Sequence, residues 1–280
     1  MHCNVFLATL PNDPSTLIDV PVFQYKMSLY LKCGVLMLLE KMLQSQGFGS
    51  RKHCQQLIKN AAIEIEGQII TDPKHKLKLD ALNYKVHGKS FEYREKVYIA
   101  LNKPQGYECS HQATHHFSVF DLFDDVLLNR GIQCVGRLDQ DTTGLLLLTD
   151  DGQFLQALTH PKKHVAKVYR MQTADPVTDE QVQQLEQGVE LRNEKGSFAA
   201  TDVKRLAECE LQMTVHQGVY HQVKRMLAAV GNKVESLHRQ QIGALDLTVI
   251  PDLVEGHWIY LNAEQVALAK TRNDLESEGL

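Results

Sequence analysis

Four consecutive leucines, Leu145 to Leu148, stand between two turn signals, Asp141-Thr142-Thr143-Gly144 and Asp150-Asp151-Gly152. An apolar run this short, bounded by glycine and aspartate, reads as a buried strand. Just ahead of it are Arg137 and, two residues on, Asp139. That order sets a carboxylate beside a cation at the mouth of a buried strand, where it is available for chemistry. An aspartate before Thr-Thr-Gly also reads, taken alone, as a turn former or helix cap. Asp141 is read as a turn residue, and Asp150-Asp151-Gly152 as the turn after the strand.

The 280 residues, 43% hydrophobic and 23% charged, suit a soluble globular protein of one large domain or two smaller ones. Cys3, Cys33, Cys54, Cys109, Cys134 and Cys209 are scattered without a C-x-x-C pair, which argues against a disulfide framework or a zinc site and for a reduced, cytoplasmic setting. Of the histidines, only His115-His116 and His160…His164 fall close together. No acid or cysteine joins either set at ligand spacing, so neither a metal nor a cofactor is expected. No apolar run reaches the ~18 residues of a membrane span. The nearest, residues 29–43, is interrupted by Lys32 and Glu40. No basic stretch precedes an apolar one at the start, so no signal peptide is expected.

The net charge of −4 hides an uneven distribution. Between Met37 and Lys89 nine basic residues face five acidic ones, a small basic module on an acidic body, which suits phosphate binding or, equally, a mixed solvated surface. Residues 1–36 hold Pro11, Pro14 and Pro21 without a sustained period and read as an extension. From Met37 an amphipathic helix runs to Gly47, and Ser50 caps a second helix with Cys54, Leu57 and Ile58 inward. Ile63 and Ile65 then alternate with glutamates as a strand. A linker spans Gly88 to Lys96. Beyond it, strands from Val97, Val165 and Leu211 mix with a helix capped by Thr178, a helix over Tyr220–Gly231, further strands after Val234 and a last helix capped by Asn262. The pattern predicts an α+β fold with mostly antiparallel pairing.

Three words then occur in series: Arg137-Leu138-Asp139 with Thr142-Thr143-Gly144, Ala166-Lys167-Val168-Tyr169, and His221-Gln222-Val223-Lys224-Arg225-Met226. Together with Asn102-Lys103-Pro104-Gln105-Gly106-Tyr107 they resemble the RsuA-type pseudouridine synthases of ribosomal RNA. The two helices and small sheet of residues 37–90 resemble the S4-like RNA-binding domain. The resemblance implies a small S4-like domain at 37–90 and a larger catalytic domain at 97–275, built on a mostly antiparallel mixed sheet flanked by helices.

It also implies roles. Asp139 matches the catalytic aspartate, Tyr169 the tyrosine that packs on the target base, and Lys224 the basic residue that pairs with the aspartate. Arg137 would help replace the extruded uridine. Arg51 and Lys52 would meet phosphates, Lys103 would be carried by its turn toward the cleft, His221 and Gln222 would hold the helix start and touch the RNA backbone, and Arg225 could face phosphate. Read without the resemblance, Tyr169 is a core tyrosine, Arg137 a loop clamp and Lys103 a surface lysine. Two departures stand out. Leu38-Leu39-Glu40 replaces the usual Arg-Leu-Asp, and Val219 replaces the arginine of Gly-Arg-Tyr-His.

The expected activity is isomerisation of a uridine to pseudouridine in 16S rRNA within a partly assembled small subunit, without metal or cofactor, by a monomer. The alternatives are the same reaction on 23S rRNA, an RNA-binding assembly factor without turnover, and a metal-dependent phosphoryl transfer built on Asp139 and Asp141.

Overall fold

A computed structural model describes residues 36–160 and 163–271. Apart from Leu36, the expected extension lies outside the described residues, as does the end of the expected catalytic domain beyond Thr271. The chain opens with β1 (Leu36–Leu38), α1 (Leu39–Ser45), α2 (Arg51–Lys59), β2 (Ile63–Ile65), β3 (Gln68–Ile70), β4 (Lys76–Lys78), β5 (Asn83–Val86) and β6 (Lys89–Glu92). Strands β3-β2-β5-β6 form an antiparallel sheet and β1 pairs with β4. That pairing holds Met37 in a strand, so the first helix starts at Leu39 and not at Met37. Leu39, Met42 and Leu43 from α1, Cys54 and Ile58 from α2, and Ile63, Tyr84 and Val86 from the sheet share one core. Ser50 caps α2, accepting from the His53 amide at 3.3 Å.

The segment read as a linker contains β6. Its Phe91 stacks on Tyr84 and meets Phe48 edge-on, and those ring contacts make residues 89–92 part of the small sheet. Too few alternating residues precede the break for this strand to show as a period.

The second module runs β7 (Tyr98–Lys103), β8 (Tyr107–Glu108), β9 (Phe117–Ser118), α3 (Asp125–Leu128), β10 (Gln133–Cys134), β11 (Thr142–Thr149), α4 (Gly152–Thr159), β12 (Lys167–Thr173), α5 (Asp179–Gln187), β13 (Val189–Glu190), β14 (Ser197–Phe198), β15 (Thr201–Ala207), β16 (Glu210–Val215), α6 (Gln222–Ala229), β17 (Val234–Ile242), β18 (Leu245–Asp246), β19 (Trp258–Tyr260) and α7 (Ala263–Ala269). Among the described residues, nine strands form one sheet with the path β15-β16-β12-β17-β11-β7-β19. Its pairs are antiparallel except β11 with β17.

The leucine run lies in β11, near the middle of that sheet. Successive strand side chains point to opposite faces. Leu146 and Leu148 join Ile99, Leu101, Leu185 of α5 and Met226 of α6 on one side. Leu145 and Leu147 join Ala100, Phe154 of α4 and Ala269 of α7 on the other. Cover on both faces is why the run contains no polar residue. Gly144 has φ +101°, and a side chain there would strike the backbone of Arg239 on β17. Glycine therefore permits the close parallel approach of β11 and β17.

The modules meet at a polar junction. Arg130, its side chain 5% exposed, donates to Asp150 at 2.7 and 2.9 Å, to Gln46 Oε1 at 2.9 Å and to the carbonyl of Arg94 at 2.9 Å. The other Asp150 oxygen accepts from the Val97 amide at 2.9 Å. Asp150 thus holds the arginine that ties the modules and is not a simple turn residue, whereas Asp151 caps α4.

Candidate active site

Asp139 sits on the loop joining β10 to β11. The loop is pinned from below: Leu138 is buried with its amide 3.4 Å from Cys109 Sγ, and the Val135 amide donates to the Leu147 carbonyl at 2.8 Å. Lys103, at the end of β7, finishes the anchoring. Its ammonium is fully buried and donates to the carbonyls of Thr142 (2.8 Å), Pro104 (3.0 Å) and Gln140 (3.3 Å). Burial pushes its pKa down, and Cys109, Asp141 and Asp139 act against that push. The expectation that Lys103 meets RNA is corrected: with three carbonyl acceptors and no exposed surface, it clamps the loop that carries Asp139.

Two groups, one on α6 and one just before it, converge on this carboxylate. Lys224 Nζ lies 3.1 Å from Asp139 Oδ2 and 2.6 Å from Asp141 Oδ1. His221 Nε2 lies 3.1 Å from Asp139 Oδ1. Burial works against the charge on Lys224, but the hydrogen bonds and fields of Asp141 and Asp139 outweigh it and raise its pKa. Asp141 mirrors this: burial alone would raise it, and Lys224 brings its pKa below the ordinary value. His221 adopts a left-handed backbone, φ 50° and ψ 33°, and makes no side-chain cap to the helix it precedes. A non-glycine residue held in that region stores strain, and here the conformation delivers the imidazole to Asp139.

The carboxylate faces a cleft of about 920 Å³, lined among others by Arg137, Tyr169, Lys224 and Arg239. Tyr169 projects from β12 and is 9% exposed. Its hydroxyl lies 3.5 Å from Nη1 of Arg239, whose Nε donates to the Leu145 carbonyl at 2.8 Å. Arg137 is exposed at the rim. The structure thus brings Asp139, Lys224, Tyr169, His221 and Arg137 around one cavity.

Two further RNA-facing expectations change. Gln222 is 5% exposed, accepts from the Val219 amide at 3.4 Å and reaches Gln217 at 3.3 Å. It shapes the loop before α6 from within the protein. Arg225 donates to Glu194 (3.1 Å) and to the carbonyls of Tyr220 (3.1 Å) and Arg192. Its guanidinium ties α6 to the β13–β14 hairpin and is not turned to phosphate. Val219 packs against the main core, which exchanges the usual arginine for apolar contact.

In the small module, Glu40 is 1% exposed and accepts from Arg51 (2.6 and 2.9 Å) and from Gln55. These bonds, Gln55 first and then Arg51, hold its carboxyl below the usual range. Arg51 keeps 65% of its side chain exposed and Lys52 is exposed beside it. The sequence reading missed Arg239, Lys167 and the second carboxylate of the Lys224 pair. Arg239 sits in a strand between His238 and Gln240, and Lys167 opens a strand between Ala166 and Val168; nothing local marks either as facing the cleft.

Among the described residues, no group of three or more His, Cys, Asp or Glu side chains is placed to hold a metal ion, and no helix is long and apolar enough to cross a membrane.

Fold and site together define an RNA pseudouridylate synthase with an S4 domain, and the chain belongs to that family: the profile of the RNA pseudouridylate synthases matches residues 97–229 and that of the S4 domain residues 37–82. It is 37% identical over 232 residues to the "Ribosomal small subunit pseudouridine synthase A" of Vibrio vulnificus (strain CMCP6), covering 82% of this chain and 98% of the relative. The protein of the same name from Escherichia coli (strain K12) is 36% identical over 232 residues, covering 82% and 99%. A crystal structure of a pseudouridylate synthase superposes with a TM-score of 0.58 at 34% identity, over 83% of this chain and 99% of that one.

Proposed function

We propose that the protein converts one uridine of small-subunit ribosomal RNA to pseudouridine, with Asp139 as the catalytic carboxylate. The observation that carries this is the Asp139–Lys224–His221 cluster facing Tyr169 across one cleft. The reaction breaks the N1–C1′ bond, turns the base, joins C5 to C1′, and moves a proton from C5 to N1. Atoms and electrons are conserved, so the work is charge stabilisation and positioning. As the bond breaks, C1′ becomes electron-poor. Asp139 meets that charge or bonds to the carbon. Lys224 offsets the cost of holding the carboxylate in the cleft, and Tyr169 supports the face of the base and offers its hydroxyl for proton transfer. Arg137 at the rim supports the extruded conformation. Lys52 and the free side of Arg51 bind backbone phosphate.

The Lys224 ammonium bridges Asp139 and Asp141 and occupies the space between the two carboxylates on which a phosphoryl-transfer reading would depend. The assembled cluster likewise favours turnover over a silent assembly role. The protein is expected to act as a monomer in the cytoplasm, which sedimentation and cell fractionation test.

Incubation with small-subunit particles from cells lacking the gene, followed by site-resolved pseudouridine mapping, is expected to show one new site. Asp139→Asn is expected to lower the single-turnover rate by at least about 10³-fold. Product formed only on large-subunit RNA would move the substrate assignment, and undiminished turnover by Asp139→Asn would remove the catalytic one.

A further inference from the structure

Three side-chain polar atoms among the described residues are buried without a hydrogen-bond partner: Asn102 Oδ1, Thr142 Oγ1 and Arg239 Nη2. Two of them, on Thr142 and Arg239, belong to residues lining the Asp139 cleft. These residues are 1% and 2% exposed, so bulk solvent does not reach them. Folded proteins rarely leave such groups unpaired unless water, an ion, a ligand or the chemistry uses them.

The strand register explains why they share a face. Gly144 pairs with Arg239 across β11 and β17, Thr142 lies two residues from Gly144, and Tyr169 on β12 pairs with Arg239 from the other side. Lys167 lies two residues before Tyr169 on β12, across a shift in the β12–β17 register, and the field of Arg239 reaches it. It too lines the cleft, and its ammonium makes one hydrogen bond, to the Val165 carbonyl at 2.9 Å. An ammonium has three donors, which leaves donors for a ligand. The floor beside Tyr169 thus presents two cationic donors and one hydroxyl able to accept.

We propose that Arg239 Nη2, Thr142 Oγ1 and Lys167 Nζ form the subsite that reads the hydrogen-bonding edge of the flipped uracil and selects it over cytosine. The inference rests on the uridine-isomerase reading of the cleft and deepens it. The uracil edge is acceptor–donor–acceptor: O2, N3–H, O4. The two cations only donate and match the carbonyls; the hydroxyl accepts from N3–H. Cytosine offers an acceptor at N3 and an amino donor in place of O4, and that amino group would meet a cation with no acceptor. A site built to hydrogen-bond one edge rejects another because its buried groups are left unpaired.

The same cations serve the chemistry. When the electron pair of the N1–C1′ bond leaves with the base, the uracil becomes an anion for as long as it is detached. Arg239 and Lys167 oppose that charge while Asp139 meets C1′. Burial, and then the field of Arg239, brings the Lys167 pKa down to about 8, so Lys167 is still mainly charged at neutral pH.

The test compares full-length wild type, Thr142→Val and Thr142→Ser on RNA carrying either uridine or 3-deazauridine at the mapped target. 3-Deazauridine keeps the ring shape and loses the N3–H donor; its O4 is carried as a hydroxyl, a change common to every variant, so the comparison is between the ratios. Thr142→Val is expected to shrink the uridine-to-3-deazauridine rate ratio about tenfold, the worth of one hydrogen bond, and Thr142→Ser to restore it. An unchanged ratio in Thr142→Val overturns the subsite. A second measurement needs no turnover: NMR titration of the same proteins with uridine and cytidine 5′-monophosphates. Wild type is expected to bind the uridine nucleotide about tenfold more tightly, and Thr142→Val to bind it more weakly while keeping the preference that the two cations set; equal affinities in wild type overturn the subsite. A uridine preference in a protein that forms no pseudouridine would leave the subsite standing and fail the proposed function instead.

Discussion

At the scale of single residues, the cleft holds lysines with opposite electrostatic histories. Lys224 is drawn upward by two carboxylates after burial has acted against its charge, so it stays cationic throughout the working pH range. Lys167 faces Arg239 from β17, Tyr169 from its own strand, and His216 and His164 at the cleft wall. It has no carboxylate partner among its hydrogen bonds, and its pKa falls to about 8. The charged form exists below that pKa and is lost as pH rises through it. If that charge opposes the detached uracil anion, the single-turnover rate falls above pH about 8. Lys167→Arg, whose guanidinium does not titrate in this range, is expected to move the alkaline limb upward by at least about one unit. A pH–rate profile with the same limb in wild type and Lys167→Arg would sink the role given to Lys167. Neither Lys167 nor Arg239 was legible as a functional group in the sequence, since a lone basic residue in a strand is read as solvated. The fully buried Lys103 was placed toward RNA from its motif and the turn after it, neither of which shows that its ammonium folds back onto three carbonyls. Such residues become visible only when the sheet closes over them.

At the scale of elements, the parallel pairing of β11 with β17 is what brings Thr142 and Arg239 together, and Gly144 permits it. Gly144→Ala would force a side chain into the Arg239 backbone at φ +101°. The expected loss is about 3 kcal/mol from strain and overpacking together, seen as a lower urea midpoint with an unchanged slope. A midpoint within error of wild type would mean that the strands separate at little cost. Features like this divide what the sequence reveals from what it hides. Ser50, Thr178 and Asn262 were readable as caps because each bonds an amide only three residues on. The leucine run was readable because burial on both faces writes itself into consecutive positions. By contrast, β15 carries mostly exposed residues, and β19 is three residues long and pairs with a distant partner, β7. Neither has a period to detect. The meeting of Asp139 with Lys224 came from resemblance to a family, since no spacing rule links loop to helix across 85 positions.

At the scale of the whole molecule, the question is how an RNA-gripping module and a catalytic cleft act on one substrate. Binding through two modules gains from their being held together, because the second contact is made at high effective concentration. Arg130 supplies that hold. It joins Gln46 and the Arg94 carbonyl on one side to Asp150 on the other, and both charged side chains are nearly buried, 5% and 10% exposed. Removing one member of such a pair leaves the other charge without its partner, a loss of roughly 3 kcal/mol or more. Arg130→Met is therefore expected to raise susceptibility to proteolysis near residues 93–97. The effect on catalysis should fall on binding: the cleft residues are untouched, so KM for small-subunit RNA rises about tenfold while kcat stays within about threefold. On the proposed phosphate binding by the small module, the salt dependence of binding is expected to flatten in Arg130→Met relative to wild type as fewer counterions are released. A drop in kcat with KM unchanged would instead show that the junction shapes the cleft itself and that the modules do not grip the RNA as one body.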